Sequence, residues 1–242
     1  MRNFCKFRWL ILFIVLAALM AFARQYGKSV KQSYVDNVDY EAYCKRYHLQ
    51  AVSDNAYPYD ADYDMYGEGE KVHNFQDLEQ NADVIVKVKL SEGEKRTIYT
   101  ECIFSQADVM KSWKGDVKTG EKIHIFEPVN CTGFTSFAVL CQEGYTPMVK
   151  GEEYILFLRQ IKNSHFSKDD YVYLPVSMTY GKYRADSGFP KRYKESQVGL
   201  DYMNNGASLP LEDAEKEEVL LFEKEKYQLY RNLKKTVVKN YL

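Results

Sequence analysis

TIYTECIFSQADVMKSWKGDVKTGEKIHIFEP, running from Thr97 to Pro128, decides the fold class of this chain. Ile98, Cys102 and Phe104 share one parity, and Tyr99, Glu101 and Ile103 take the other. Successive side chains of a strand point to opposite faces, so the stretch reads as a half-buried strand with a partly polar outer face. Val109, Lys111 and Trp113 continue it to Lys114-Gly115-Asp116. Turn formers then take over, with Thr119-Gly120 behind them, because glycine tolerates the positive φ of a tight turn. Lys122 to Phe126 alternates again and puts Ile123 and Ile125 on one face. The whole is a long β-hairpin. Its first arm exceeds the ~5–6 residues of a typical strand, which predicts a bend or bulge near Ser105–Asp108, the device by which small barrels turn corners.

The flanking runs supply further strands of the same sheet. Before the hairpin, Ala82–Leu90 carries Val84, Val86, Val88 and Leu90 on one face, and Ser91–Glu94 turns the chain. Asn74, with Asp77 three residues on, has the form of an N-cap and opens a short helix to Gln80. After the hairpin, residues 129–147 read as loop, with Cys131, Gly133, Cys141 and Gly144. Glu153–Leu158 is apolar on both parities, as a fully buried strand would be. Tyr171–Val176 is a further strand, and residues 177–210 read as loop with a short strand at Tyr180–Arg184. The expected core is Val84, Val86, Val88, Phe104, Ile123, Ile125, Ile155 and Phe157.

Leu211 to Leu242 has no Gly or Pro and reads as one long amphipathic helix. Acids (Glu212, Asp213, Glu215, Glu217, Glu218) crowd its start and bases (Arg231, Lys234, Lys235, Lys239) its end, a polarity that suits the helix dipole. Val219, Phe222, Tyr230, Leu233 and Val237 form the apolar stripe. Such a stripe covers the protein's own barrel or a partner.

At the other end, Arg2, Lys6 and Arg8 precede Trp9–Ala23, 15 residues without a charge. A secretory signal has such an apolar core and an A-x-A-like end, here Ala21-Phe22-Ala23. An uncleaved anchor would need its basic flanks to snorkel, because a spanning helix takes about 17–25 apolar residues. The expected location is the cell membrane, single-pass, with the basic N-terminus inside and the rest outside; cleavage after Ala23 would make the protein secreted. From Asp36 to Glu70 come nine acids, two bases and seven Tyr without sustained period, which reads as a solvated spacer with one short helix at Tyr40–Tyr47. Asp60, Asp62 and Asp64 start like a calcium loop, but Met65 and Lys71 stand where its Gly and Glu belong. The resulting division is 1–24 anchor or signal, 25–73 acidic Tyr-rich spacer, 74–185 barrel, 186–210 loop and 211–242 C-terminal helix. A formal net charge of −1 creates no global field to recruit nucleic acid, and 21 Tyr suit a β-rich protein.

Ala82-Asp83-Val84-Ile85-Val86, then Trp113-Lys114-Gly115-Asp116, Gly120 and Ile123, then Lys150–Leu158 (KGEEYILFL), together carry a resemblance. In order and spacing they are similar to bacterial extracytoplasmic proteins whose domain resembles the tissue-inhibitor-of-metalloproteinase and netrin-module barrel. The resemblance covers residues 75–176. It implies a mainly β fold: a five-stranded OB-like Greek-key barrel with flanking helices, to which the N-terminal membrane helix and long C-terminal helix are added. OB barrels bind on one sheet face and its adjoining loops. Animal inhibitors of this fold place an N-terminal cysteine on the protease zinc; Cys5 lies in the basic head and Cys44 far from any mature N-terminus, so inhibition does not carry over.

Chemistry is sparse. His48, His73, His124 and His165 stand far apart, and no zinc, P-loop or nucleophile-elbow pattern occurs. No cofactor or metal is expected. Lys182, Arg184, Lys191, Arg192 and Lys194 interleave with Tyr183, Phe189 and Tyr193 in the one basic-aromatic cluster. Within it Lys191, Arg192, Tyr193 and Lys194 are the candidate contacts for an envelope protein or polymer, with the membrane engaged through residues 9–23. Cys131 and Cys141, ten apart in one expected loop, form a candidate disulfide outside the cytoplasm; Cys102 shares an apolar parity and reads as a buried thiol. The function expected is a tethered, non-catalytic binding module displayed outside the cell. The alternatives are a secreted hydrolase whose site joins His124 or His165 to a loop acid, and a structural spacer.

Overall fold

The computed structural model describes residues 15–24, 38–46, 49–54, 72–99, 102–132, 138–161, 172–190, 199–201 and 206–242. Residues 15–24 form helix α1. In chain order there follow β1 (Val38–Asp39), α2 (Tyr40–Arg46), β2 (Gln50–Asp54), α3 (Phe75–Asn81), β3 (Val84–Leu90) and β4 (Thr97–Tyr99). Next come β5 (Cys102–Lys114), β6 (Lys122–Glu127), β7 (Val129–Thr132), β8 (Ala138–Gln142), β9 (Glu153–Gln160) and β10 (Val172–Pro175). The chain ends with β11 (Lys182–Arg184), β12 (Gly199–Asp201), β13 (Gly206–Pro210), α4 (Leu211–Ala214) and α5 (Lys224–Tyr241).

Five strands close a mixed barrel in the order β3-β5-β6-β10-β9 and back to β3. Every neighbouring pair is antiparallel except β6 and β10, which run parallel with Val172 opposite His124. This is the expected mainly β architecture, a closed five-stranded barrel compatible with an OB-like one. The hairpin is its spine. β5 pairs with β6 from Ile103 to Asp108 and with β3 from Ala107 to Lys114. Period two then sorts the side chains: Val84, Val86, Val88, Leu90, Ala107, Val109, Ile123 and Ile125 meet Tyr154, Leu156, Leu158 and Tyr173 in one buried cluster inside the barrel.

Three expectations about this sheet need correcting. The first arm is two strands rather than one bent strand: β4 pairs antiparallel with β5, with Tyr99 opposite Cys102. The register shifts instead lie opposite the far half of β5, at Ile85/Val86 and Lys87/Val88. Phe104 is half-buried on the outside of the barrel, and Ile155 and Phe157 are buried outside it, under helices. A strand that is apolar on both parities does not declare which face is inner.

The turn after β5 explains one glycine. Gly115 has φ +91, and a Cβ there would lie 2.7 Å from the Asp83 carbonyl oxygen and 2.7 Å from Val84 Cγ2. Gly120 has φ +88 with open space around it. Gly120→Ala is therefore expected to cost about 1–2 kcal/mol for the left-handed backbone alone, and Gly115→Ala more, because backbone must move as well. Urea midpoints of the two variants test the ranking; equal losses would contradict it.

A second sheet has the order β12-β13-β2-β8-β7. Its strands fall where spacer (Gln50–Asp54) and loop (Val129–Thr132, Ala138–Gln142, Gly199–Asp201, Gly206–Pro210) are expected, whereas the short helix expected at Tyr40–Tyr47 is present as α2. β2 is bonded on both sides, parallel to β8 and antiparallel to β13. Tyr40, Tyr43, Leu49 and Ala51 are buried with Val129, Val139, Leu209 and Leu220 in the core beneath it. The acidic composition of 36–70 hid a short apolar pattern. The Asp60, Asp62, Asp64 trio lies outside the described residues.

The C-terminal stretch is not one helix. α4 ends at Ala214; after a bend at Glu218 come Val219, Leu220 and Leu221, all four buried, with Val219 bridged to Tyr145 and the Leu220 N–H donating to the Gly144 carbonyl at 2.8 Å. Three consecutive apolar residues point in too many directions for a one-sided helix, whereas an extended strap between two sheets buries them all. α5 then packs Tyr230, Leu233 and Val237 against Leu78, Phe157 and Tyr183. Asn74 caps α3 as expected: its Oδ1 accepts from the Asp77 N–H at 3.0 Å. Among the described residues no helix is long and apolar enough to cross a membrane. α1 holds the C-terminal part of the expected anchor, and residues 9–14 lie outside the described residues.

Candidate functional site

The basic-aromatic cluster resolves into separate roles. Lys191, Arg192, Tyr193 and Lys194 lie outside the described residues, but the chain leading to them is anchored. The Tyr227 hydroxyl on α5 donates to the Pro190 carbonyl at 3.2 Å, and the Arg231 guanidinium lies 5.1 Å from the centre of the Phe189 ring. Arg184 donates to the carbonyls of Glu215 and Lys216, both at 3.1 Å, and so ties β11 to the end of α4. Lys182 is not a surface cation at all: it is 3% exposed.

Lys182 belongs to a buried polar cluster at the meeting of barrel, second sheet and α5. Glu127, at the end of β6, accepts from Ser105 Oγ and from the Met148 N–H at 2.7 Å; Arg96 Nη1 stands 3.7 Å away. The same Nη1 donates to the Met148 carbonyl at 2.5 Å, and Arg96 Nε donates to Glu41 on α2 at 2.7 Å. Burial opposes the charge on Arg96, but Glu127, Tyr40 and Glu41 outweigh it and hold its pKa above the ordinary value. Deeper in, Lys234 of α5 pairs with Glu218, whose carboxyl also meets the Tyr230 hydroxyl. That hydroxyl lies 2.9 Å from the Lys182 carbonyl as well and donates to one oxygen at a time. Burial raises the Glu218 pKa despite Lys234.

Parity carries the signal that would have found these groups. Glu127 shares the inward parity of Ile123 and Ile125, and Lys234 stands among Tyr230, Leu233 and Val237 on the buried face of its helix. A charge on an apolar stripe is buried or misplaced.

The Lys182 ammonium donates to the Thr146 carbonyl and to Thr146 Oγ1 at 3.2 Å, with the Tyr145 ring 3.9 Å and the Tyr154 ring 5.6 Å away. Cation–π attraction and a carbonyl replace a contacting carboxylate. Burial lowers its pKa from 10.5 to about 8, against the pull of Glu127 and Glu218. Between those two values the folded form is neutral while the unfolded chain still holds the proton, so stability from this group rises with pH across that window. Relative to Lys182→Met, which does not titrate, the wild-type protein is expected to gain up to about 3 kcal/mol between about pH 7 and pH 10. Comparison of the two denaturation midpoints across pH checks this, and a constant difference would refute it.

Among the described residues burial holds the Cys44, Cys131 and Cys141 thiols in their protonated form. Cys131 and Cys141 are unbonded, buried and on adjacent strands, Cys131 opposite Val139 and Cys141 opposite Val129. The expected bridge between them is not formed, because an antiparallel register puts them on different rungs. Diagonal neighbours of that kind stand about 7–8 Å apart, beyond usual disulfide reach. Burial pushes the Cys141 thiol up to about 12 and the Cys131 thiol well above its ordinary value. Cys102, also buried, donates to the Tyr99 carbonyl at 2.9 Å. His124 stacks on Phe104, ring centres 4.9 Å apart, with Nε2 3.1 Å from the Gln106 amide nitrogen. It faces outward beside Phe126 on the β5–β6 face, where Tyr99 completes an aromatic group. His48 and His165 lie outside the described residues. Among the described residues, no three His, Cys, Asp or Glu side chains converge as metal ligands.

No protein-family model matches the chain, and no curated protein matches it.

Proposed function

We propose that this protein is a non-catalytic binding module, tethered to the cell membrane through residues 9–23, which displays an OB-like barrel of the metalloproteinase-inhibitor and netrin-module kind outside the cytoplasm. One observation carries the reading: among the described residues, the deeply buried acidic and basic side chains are each taken up in bonds that join one element to another. Glu127 bonds Ser105 and Met148, Lys182 bonds Thr146, and Lys234 of α5 pairs with Glu218, so these charges serve to hold elements together. Recognition then falls to the outer surface: the exposed edge of the β5–β6 aromatic group at Tyr99 and the stretch that follows Pro190. The side chains on α1 support the tether. Val15, Leu16, Leu19, Met20 and Phe22 are all exposed, and a helix apolar on every side is at home in an apolar phase.

The partner is an envelope protein or polymer contacted by Lys191, Arg192, Tyr193 and Lys194. The test is affinity capture from native envelopes with the whole chain in detergent, against a bait carrying Lys191→Gln, Arg192→Gln and Lys194→Gln. Loss of one specific partner from the variant bait supports the proposal. Identical recovery from both baits would sink it.

A further inference from the structure

The outer face of α5 gathers several exposed cations without a carboxylate partner, a state shared among the described residues by Lys45, Lys111, Lys114 and Lys118. Lys87, Lys89, Lys122, Lys150, Lys216 and Lys226 each have a carboxylate oxygen within 4 Å. Lys224, Lys235 and Lys239 are exposed and have no such partner. At 100° per residue, Lys224, Gln228, Arg231, Lys235 and Lys239 fall within an arc of roughly 80° and span about 22 Å along the helix. No acid lies in that arc. The helix dipole accounts for Lys239 in the last turn, but it disfavours Lys224, the first residue of the helix.

The same face carries apolar side chains. Outside α1, the large exposed hydrophobics among the described residues are Val38, Tyr99, Met110, Phe189 and Leu242. Phe189 lies under the Arg231 guanidinium, and Leu242 ends the basic row in helical phase with Lys224 and Lys235. Cations interspersed with an aromatic ring and a leucine are the composition of a surface that rests at a lipid interface. A soluble polyanion would call for the cations alone.

We propose that the outer face of α5 docks on an anionic bilayer, with Lys224, Arg231, Lys235 and Lys239 against the headgroups and Phe189 and Leu242 entering their level. The nearness of a bilayer rests on the tether proposed above. Each cation held within a Debye length of such a surface raises partitioning about fivefold, so the four decide whether the module lies down or stands away. Docking would hold the barrel at a fixed orientation to the membrane.

The test uses the whole chain reconstituted in vesicles of phosphatidylcholine alone or mixed equally with phosphatidylglycerol. Acetylation of individual lysines by a water-soluble reagent is read by mass spectrometry, and flotation is scored in parallel. Lys224, Lys235 and Lys239 are expected to react several-fold more slowly on the anionic vesicles, with full rates restored by molar salt and Lys95 unchanged. The triple variant Lys224→Gln, Lys235→Gln, Lys239→Gln should lose its phosphatidylglycerol-dependent gain in association. Failure to float on neutral vesicles would count against the tether alone. Equal lysine rates on the two vesicle types overturn the docking whatever the flotation result. Protection by soluble polyphosphate but not by anionic vesicles overturns it in favour of a soluble polyanion.

Discussion

Replacing Lys234 with methionine is expected to destabilise the protein by about 3–5 kcal/mol, a large part of the ~5–15 kcal/mol that holds a domain folded. Lys234 is 0% exposed, and its ammonium is the cation that Glu218 meets inside. Removing it strands a carboxylate in the interior with only the Tyr230 hydroxyl to bond it. The loss should depend on pH in a defined sense. Burial already raises the Glu218 pKa, and without Lys234 it rises further. A carboxyl whose folded pKa lies above its unfolded one costs stability once the pH passes the unfolded value, so the deficit should shrink on acidification towards about pH 4.5. The double variant Lys234→Met, Glu218→Leu should recover most of the loss, because removing both partners leaves no buried charge. Denaturation midpoints at two pH values for the three proteins decide it; a double variant no better than the single would contradict the account.

Phe157→Ala is expected to cost about 3–5 kcal/mol, and to cost it in a particular place. Phe157 is 0% exposed, with ring centres 6.3 Å from Phe75, 6.0 Å from Tyr183 and 5.8 Å from Tyr241. It stands on the outside of the barrel wall, between β9 and the two helices α3 and α5. The cavity therefore opens under α5 and leaves the barrel interior filled. Hydrogen exchange should show protection lost first along α5 and α3, with β3 and β9 retained until global unfolding. Leu156→Ala, one residue away but on the inner face, should loosen the β3–β9 ladder instead. Uniform loss in both variants would show that wall and helices form a single cooperative unit.

These contrasts mark the limit of what is legible in the residues alone. Val84, Val86 and Val88 alternate with polar or differently placed neighbours, so their inward face could be read directly. Tyr154 to Leu158 is apolar at every position, and only the pairing of Leu156 with Val86 and of Leu158 with Val84 fixes which side is inner. The hairpin was legible because its turn glycines interrupt two alternating runs. The second sheet was not, because β2, β8 and β13 come from three distant parts of the chain and β2 lies in acid-rich surroundings. The polar cluster had a local sign in the parity of Glu127, but its partners Arg96 and Met148 are joined to it only by the closure of the fold. Nothing in the spacing of Lys182 and Thr146 brings them together.

The placing of β2 between β8 and β13 also sets an order of assembly. A chain emerging from the ribosome presents Gln50–Asp54 long before Ala138–Gln142, and Gly206–Pro210 comes later still. The barrel strands, Val84 to Pro175, can pair among themselves in the meantime. β2 must wait for β8 to cover one edge, and its other edge stays bare until the last fifth of the chain has been made. Its backbone donors and acceptors are the ones most open to a wrong partner during that interval, so the newborn chain is most vulnerable to strand-mediated aggregation at its earliest-made strand of the second sheet, and shielding of that strand ends with the arrival of β13.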